Sequence, residues 1–136
     1  MPFWLVKTEP STYAFQDLRR DRKTRWDGVS NAQAQANLRA MGKGDEVVVY
    51  HSGEKAAVGL SRVARGPYPD PGDPEGKRVA VDLAAGVGFE VPVALGVLRG
   101  EKVFEGSALL KQGRLSVVPI TAAQWKVLLR LGAARK

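Results

Sequence analysis

The chain has no cysteine and a single histidine among its 136 residues. Without cysteine it cannot form a disulfide, a thiolate zinc site or a cysteine nucleophile, and one histidine excludes metal sites built from several imidazoles. The first residues lack a basic segment followed by an apolar run, and the apolar stretches are too short to span a bilayer. We therefore expect a protein that uses no metal or cofactor, does not enter a membrane, and works in the cytoplasm, or in the nucleus if its source is a eukaryote.

Acidic side chains are fewer than basic ones. The 14 Asp and Glu residues face 21 Lys and Arg residues, which gives a net charge of +7 and a pI near 10.0. This excess favours a polyanionic partner, with nucleic acid first and an acidic membrane surface second. An arginine-rich protein without such a partner is the plainer alternative. The length predicts one domain over residues 1–136, large enough to bury a core and expected to be a monomer.

Basic charge is densest at residues 19–25, and the five cations there are Arg19, Arg20, Arg22, Lys23 and Arg25. They precede the run Trp-Asp-Gly-Val-Ser-Asn at residues 26–31, where Asn31 is a good N-cap for a helix. An indole beside an amide, approached over basic residues, suits one unstacked base on a phosphate chain. The segment is therefore a candidate nucleic-acid site in which residues 19–25 contact phosphates. The alternative is that Trp26 belongs to the core, Asn31 only caps the helix, and the cations form a solvated loop.

No arrangement of residues in the sequence points to catalysis. His51 and Ser52 are neighbours on a predicted strand and face opposite sides, so they do not form a nucleophilic pair, and no Gly-x-Ser-x-Gly elbow surrounds Ser52. The sequence also lacks a P-loop and an acidic metal cluster. We predict a non-enzymatic protein with a structural His51. A small hydrolase or nuclease that uses Glu9, Lys7 or His51 is the alternative from another class.

The hydrophobic pattern predicts five or six strands and three helices. Strands are expected at residues 3–7, 46–52, 57–64, 79–83, 89–97 and 115–120. Helices are expected from Ser11 or Thr12 to residue 20, from Asn31 to residue 41, and after a capping box of Thr121 and Gln124. The proline-rich residues 66–74 are interpreted as a surface loop. Because strands and helices do not alternate strictly, the order indicates an α+β fold with a curled, partly closed sheet.

Five blocks of the chain, in order, resemble the EVE domain family. They are residues 3–10 (FWLVKTEP), 26–31 (WDGVSN), 41–45 (MGKGD), 50–52 (YHS) and 114–117 (RLSV). The resemblance runs from about residue 3 to residue 131. It implies a PUA-like fold, a mixed β pseudo-barrel flanked by about three helices, with kinship to the YTH readers of methylated adenine in RNA. It also implies a reader of modified bases, with modified cytosine in DNA as the favoured ligand. An RNA-binding module for tRNA or another structured RNA is the alternative.

Carried over by position, the resemblance implies three roles at a base pocket. Trp26 lines the pocket and Asn31 contacts the base edge. Tyr50 and Ser52 form part of the wall. The residues at the rim are Lys7 and Thr8.

The chain departs from the family pattern at positions that bear on a second aromatic wall. Ser30 stands where an arginine is usual, and Ala32 stands where an aromatic is usual. Many members have a tryptophan where this chain has Lys77 and Arg78. The sequence therefore identifies Trp26 as one wall and leaves the second wall open.

Overall fold

The computed structural model describes residues 2–134, and its centre is one six-stranded mixed sheet. The strands are β1 (Phe3–Thr8), β2 (Lys23–Trp26), β3 (Glu46–His51), β4 (Ala56–Pro69), β5 (Val79–Ala94) and β6 (Val117–Ile120). Their order across the sheet is β2-β5-β4-β3-β1-β6. Strands β1 and β3 run parallel, and the other neighbouring pairs are antiparallel. The two ends of this order are different strands, so the sheet is open and not a closed barrel.

Five helices surround the sheet in the part of the chain that the structure describes. They are α1 (Phe15–Asp21), α2 (Ala32–Ala40), α3 (Leu95–Leu98), α4 (Ala108–Lys111) and α5 (Ala122–Leu131), with a 3₁₀ turn at Lys102–Phe104. The predicted α+β class is confirmed. The predicted three helices correspond to α1, α2 and α5, and the two further helices are each a single turn. None of these helices is long and apolar enough to cross a membrane.

The core is built on the parallel pair β1 and β3. Leu5 and Val6 of β1 are fully buried, as are Val47 and Val48 of β3. Apolar residues therefore point to both faces of these strands. Each such side chain stabilises the fold by roughly 1.5–3 kcal/mol relative to an exposed position. The carboxyl ends of β1 and β3 lie side by side on this rigid base, with Lys7 opposite Tyr50.

The alternative interpretation of residues 19–25 as a solvated loop is wrong, because α1 extends to Asp21 and β2 begins at Lys23. Helix α1 begins at Phe15 behind Ala14, whose N–H donates to Asp17 Oδ2 at 2.8 Å, and not at Ser11 or Thr12. After the helix, β2 pairs with β5 as an edge strand. In β2 the exposed Lys23 and Arg25 alternate with the less exposed Thr24 and Trp26, as expected for a strand. The high density of charge makes this alternation difficult to recognise in the sequence.

Two boundaries in the middle of the chain also differ from prediction. Strand β4 continues to Pro69, into the predicted loop 66–74, because register shifts against β5 accommodate the prolines. Strand β5 is one continuous strand of 16 residues where two strands were predicted, and α3 begins at Leu95. The caps fall where the sequence places them: Asn31 accepts the N–H of Ala34, and Thr121 and Gln124 form the reciprocal box of α5.

Candidate nucleic-acid interface

The turn that joins β2 to α2, residues 27–31, is held by two buried polar side chains. Gly28 adopts a left-handed φ of +69°, and its N–H donates to Asp70 Oδ2 at 3.1 Å. The other oxygen of Asp70 accepts the N–H of Gly72 at 2.8 Å, so one carboxylate joins this turn to the β4–β5 connection. Asp70 is 4% exposed. The turn is therefore fixed to the sheet by hydrogen bonds that are shielded from water.

Gln35, on α2, holds the same turn from the other side. Its amide donates to the carbonyl oxygens of Val29 at 2.8 Å and Val79 at 3.1 Å, and its Oε1 accepts the N–H of Val79 at 2.9 Å. The side chain is 4% exposed and makes three of its possible hydrogen bonds to backbone. Trp26, which ends β2 directly before the turn, is thereby kept in one position.

A cavity of about 480 Å³, here named the Tyr13–Trp26 cavity, is lined in part by Trp26, which is 9% exposed and also belongs to the hydrophobic core. Its lining residues are Thr8, Thr12, Tyr13, Thr24, Arg25, Trp26 and Asp27. The Tyr13 and Trp26 rings meet edge to face, with centroids 6.4 Å apart. Thr8 fixes Tyr13, because its Oγ1 donates to the Tyr13 carbonyl at 2.7 Å. This volume lies in the range of small-molecule sites, and two aromatic side chains contribute to its walls.

A second opening of about 340 Å³, the Trp26–Asn31 groove, shares Thr8, Trp26 and Asp27 with this cavity. It is lined by the turn itself together with Lys7, Thr8, Arg114 and Ser116. Asn31 Oδ1 already accepts the N–H of Ala34 at 2.9 Å, as the helix cap. The exposed amide nitrogen of Asn31 is what remains to donate to a ligand, and its natural acceptors are carbonyl or ring-nitrogen atoms at the edge of a base.

Tyr50 and Ser52 line a separate opening of about 290 Å³, the Tyr50 cavity. Its lining residues are Lys7, Tyr50, Ser52, Lys55, Leu95, Arg99, Leu109, Leu110 and Gly113. The six residues assigned to one pocket by family resemblance are thus distributed over adjoining openings. Trp26, Asn31 and Thr8 share one of them, Tyr50 and Ser52 share another, and Lys7 lines both.

Lys7 lies at the junction, half-buried. Its Nζ donates to the Gly113 carbonyl at 3.0 Å and stands 5.5 Å from the centre of the Tyr50 ring. Burial lowers the pKa of the Lys7 ammonium below its usual value. Burial also raises the pKa of Tyr50, and the positive charge of Arg99 opposes this effect. Both shifts mark a site that is drier than the surrounding surface.

The five cations of residues 19–25 do not form one surface. Arg19 and Arg20 lie on α1, and Arg20 pairs with Asp17 at 3.1 Å and Asp21 at 2.8 Å. Arg22 caps α1. Lys23 and Arg25 are exposed on one side of β2, beside a cavity of about 480 Å³ that also includes Arg65 and Tyr68. Arg25 reaches the Tyr13–Trp26 cavity as well, so of the five it is the one that lines the site directly.

His51 is 7% exposed and has a partner at each ring nitrogen. Its Nε2 accepts the N–H of Phe15 at 3.0 Å, and its Nδ1 lies 2.6 Å from Glu54 Oε1. Because Nε2 accepts a hydrogen bond, it carries no hydrogen. The ring hydrogen is therefore on Nδ1, which donates a hydrogen bond to Glu54. Nε2 joins β3 to the start of α1, and Nδ1 joins β3 to the turn that follows it. This geometry agrees with the structural role predicted for His51.

The sequence reading missed Tyr13 as a wall and missed Lys55, Arg99 and Arg114 as lining residues. Tyr13 is not among the predicted site residues, and it also packs against the core. Arg114 and Ser116 fall within a block that resembles the family, which is the one signal that points to them. Lys55 and Arg99 are far apart in sequence from the other lining residues and belong to no block. Within residues 2–134 no group of three or more His, Asp or Glu side chains is placed to hold a metal ion.

Comparison with known proteins gives matches in sequence and in structure. The EVE domain family model matches residues 2–131. Thymocyte nuclear protein 1 of Homo sapiens is 39% identical over 80 residues, which are 49% of this chain and 36% of that protein. The first curated relatives are each matched over about a third of their own length.

Two solved structures superimpose over nearly the whole chain. Rpa0253 of Rhodopseudomonas palustris is 38% identical with a TM-score of 0.92, over 98% of this chain and 94% of that one. The human THYN1 protein, in complex with 5-methylcytosine-containing DNA, is 27% identical with a TM-score of 0.86, over 100% of both chains.

The expected kinship with YTH domains is present at the level of the fold. The YTH domain of Zygosaccharomyces rouxii MRB1, in complex with N6-methyladenosine RNA, superimposes with a TM-score of 0.58 at 13% identity. The superposition covers 99% of this chain and 88% of that one. Since the family model runs from residue 2 to residue 131, and the five sequence blocks predicted the same assignment, the chain belongs to the EVE domain family.

Proposed function

We propose that this protein is a non-enzymatic reader of a single modified base in nucleic acid, with modified cytosine in DNA as the favoured ligand. The observation that carries the proposal is the Tyr13–Trp26 cavity, a space open to solvent that is lined by three threonines and by two aromatic residues in edge-to-face contact. Aromatic walls bind the faces of a base, and hydroxyls bind its polar edge. Tyr13 takes the place of the second wall that the sequence left open.

The adjoining Trp26–Asn31 groove supplies the complementary chemistry. The Asn31 amide donates a hydrogen bond to a base acceptor, and Lys7 and Arg114 supply positive charge for the sugar-phosphate chain. A base taken out of a duplex loses a few kcal/mol of stacking, and stacking on an aromatic side chain restores about 1–3 kcal/mol. The aromatic pair therefore accounts for the recognition of a base, and the cations account for affinity.

The preference for DNA is supported by similarity. The human THYN1 protein, 27% identical to this chain over its full length, is in complex with DNA that contains 5-methylcytosine. The YTH domain bound to methylated RNA shares only the fold with this chain. The experiment below therefore compares RNA with DNA oligonucleotides. The name of the curated relatives fits a nuclear location in eukaryotes, and a cytoplasmic location stays a prediction.

The proposal is tested by fluorescence anisotropy with matched oligonucleotides in DNA and in RNA. The panel contains unmodified, 5-methyl and 5-hydroxymethyl cytosine and N6-methyl adenine, each measured at two salt concentrations. We expect one modification to bind preferentially, and Tyr13→Leu and Trp26→Leu to reduce that preference about 10- to 100-fold. Binding that remains should be weak and strongly salt-dependent.

The matched control is Trp125→Leu. Trp125 is 4% exposed and stacks on Phe3 with ring centroids 4.8 Å apart, and it lines none of the cavities above. Its replacement removes a buried indole without touching the site, so it should reduce stability and leave the base preference intact. Equal loss of preference in this variant, or equal binding of every oligonucleotide by the unaltered protein, would contradict the proposal. Cleavage of the oligonucleotides that Glu9→Gln or His51→Ala abolishes would favour the hydrolase alternative.

A further inference from the structure

The Tyr50 cavity differs from its neighbours in charge. Three cations, Lys7, Lys55 and Arg99, line it, and no carboxylate does. The Tyr13–Trp26 cavity and the Trp26–Asn31 groove both include Asp27. Within the described residues, none of the three cations has a carboxylate oxygen within 4.0 Å. Positive charge is therefore concentrated here without an internal counter-ion.

Lys7 contributes a positive charge that its surroundings compensate poorly. Its ammonium is half-buried, and its hydrogen bond partner is the neutral carbonyl of Gly113. A carbonyl offsets less of the lost hydration than an anion does, and the same burial lowers the pKa of Lys7. An anion bound beside Lys7 would offset more of that lost hydration.

Lys55 and Arg99 are held at the mouth of the same cavity by backbone geometry. Lys55 has a left-handed φ of +52°, uncommon for a residue with a side chain, and its carbonyl accepts the N–H of Leu95 at 2.8 Å. Leu95 begins the helical turn that carries Arg99, whose N–H donates to the Leu95 carbonyl at 3.0 Å. The acidic residue nearest to Lys55 in the sequence, Glu54, is already hydrogen-bonded to His51.

The remaining walls suit a compact anion with several oxygens. Tyr50 and Ser52 contribute hydroxyl groups, and Leu95, Leu109 and Leu110 contribute apolar surface. Apolar walls limit water and strengthen charge-assisted hydrogen bonds. We propose that the Tyr50 cavity binds a phosphate group through Lys7, Lys55 and Arg99, and that this phosphate belongs to the backbone of the strand whose base is read at Trp26.

The source of the phosphate follows from the position of Lys7, which lines both the Tyr50 cavity and the Trp26–Asn31 groove. A phosphate bound to Lys7 is next to a nucleotide that occupies the groove. This assignment of the source rests on the proposed function, whereas the existence of a phosphate site does not. A free phosphate is the other source of the same chemistry, and the experiments below separate the two.

The first experiment titrates the protein with inorganic phosphate and follows backbone amide signals by NMR. We expect saturable shifts centred on Lys55, Leu95 and Gly113, and their loss in the double variant Lys55→Gln/Arg99→Gln. The charge-matched control is Lys43→Gln/Lys126→Gln, which removes two exposed lysines that do not line the cavity. No saturable shift, or equal shifts in both double variants, would overturn the phosphate site.

The second experiment uses oligonucleotides in which one phosphodiester at a time is replaced by a neutral methylphosphonate. One linkage near the modified base should weaken binding about tenfold, because hydrogen bonds between charged groups are lost there. On that oligonucleotide Lys55→Gln/Arg99→Gln should cause no further loss. If inorganic phosphate occupies the cavity while every linkage behaves alike, the backbone is not the source.

Base preference separates this inference from the proposed function. The Lys55→Gln/Arg99→Gln variant should lose affinity and keep its ratio of modified to unmodified binding. If this ratio falls to one and no phosphate site is found, the cavity is a wall of the base pocket. That result would overturn the phosphate inference and leave the proposed function standing. A wild-type protein that binds phosphate here but shows no base preference would overturn the proposed function and leave the phosphate site standing.

Discussion

The Tyr13–Trp26 cavity and the Tyr50 cavity lie at the carboxyl end of β1 and are built in different ways. The first depends on an edge strand and on a turn held by Asp70 and Gln35, whose hydrogen bonds fix the position of Trp26. The second rests on the buried parallel pair β1 and β3, and its distinctive property is charge. Shape defines one site and electrostatics the other. Variants of the first should therefore change selectivity, and variants of the second should change affinity and its dependence on salt.

The largest effect on the shape-defined side is expected from Gln35→Leu. The substitution keeps the approximate size of the side chain but leaves the Val29 carbonyl and both backbone groups of Val79 without their partner. Unsatisfied buried groups destabilise a protein by about 1–3 kcal/mol each, so for three groups we expect the free energy of unfolding, measured in urea, to fall by at least about 3 kcal/mol. Base preference should fall with it. Gln16→Leu, on the exposed face of α1, is the control and should change the free energy of unfolding by less than about 0.5 kcal/mol.

A smaller and more selective change is Asp70→Asn, compared with Asp73→Asn. An asparagine has one side-chain oxygen, so it cannot accept from both Gly28 and Gly72 as Asp70 does. We expect the free energy of unfolding to fall by about 1–2 kcal/mol and the base preference to weaken. Asp73 belongs to the same connection but accepts N–H groups at residues 75, 77 and 78, away from Gly28. Asp73→Asn should leave base preference unchanged, and equal effects of the two variants would show that the turn is not positioned by Asp70.

Asp73 also gives this pair of variants a distinct pH dependence. The N–H of Arg78, with those of Glu75 and Lys77, holds the pKa of the Asp73 carboxyl below its usual value. A lowered pKa in the folded state stabilises the protein above the usual aspartate pKa, and the contribution is lost as the pH falls through the lowered value. The thermal unfolding temperature, measured from pH 7 to pH 3, should therefore fall less steeply in Asp73→Asn than in the unaltered protein.

Local signals predicted much of the fold and little of how the site is arranged. Asn31 as a cap and Thr121 with Gln124 as a capping box depend on neighbours three residues apart, and both occur as predicted. Strand β2 was missed because its pairing with β5 is a long-range contact. The separation of Tyr50 from Trp26 depends on the parallel register of β1 and β3, which no local pattern encodes. Tyr13 becomes a wall only because Thr8, on β1, binds its carbonyl.

For the Tyr50 cavity, we expect an effect of pH on oligonucleotide affinity. Burial lowers the pKa of Lys7, so its ammonium loses a proton at a lower pH than an exposed lysine does. As the pH rises from that lowered value toward the usual one, the unfavourable charge disappears and the folded state gains stability, whereas phosphate binding weakens. Lys55, Arg99 and Tyr50 face the same cavity.

The measurement is oligonucleotide affinity from pH 7 to pH 10 at constant ionic strength, with adenine and cytosine as the only bases so that the ligand does not titrate. Lys7→Arg keeps the positive charge over this range and should flatten the decrease in affinity. A decrease of the same size in Lys7→Arg would assign the pH dependence to another group and remove Lys7 from the phosphate site.

The smallest effect separates the ring of Tyr13 from its hydroxyl. The hydroxyl donates to Asp21 Oδ2 at 2.8 Å in an exposed position, and the ring meets Trp26 inside the cavity. Because an exposed hydrogen bond to a carboxylate contributes little, Tyr13→Phe should change the free energy of unfolding by less than about 1 kcal/mol and base preference by less than about twofold. Tyr13→Leu removes the aromatic face and should reduce the preference far more. If Tyr13→Phe were as damaging as Tyr13→Leu, the hydroxyl and its link to Asp21 would carry the selectivity, and the second wall of the base site would have to be sought elsewhere.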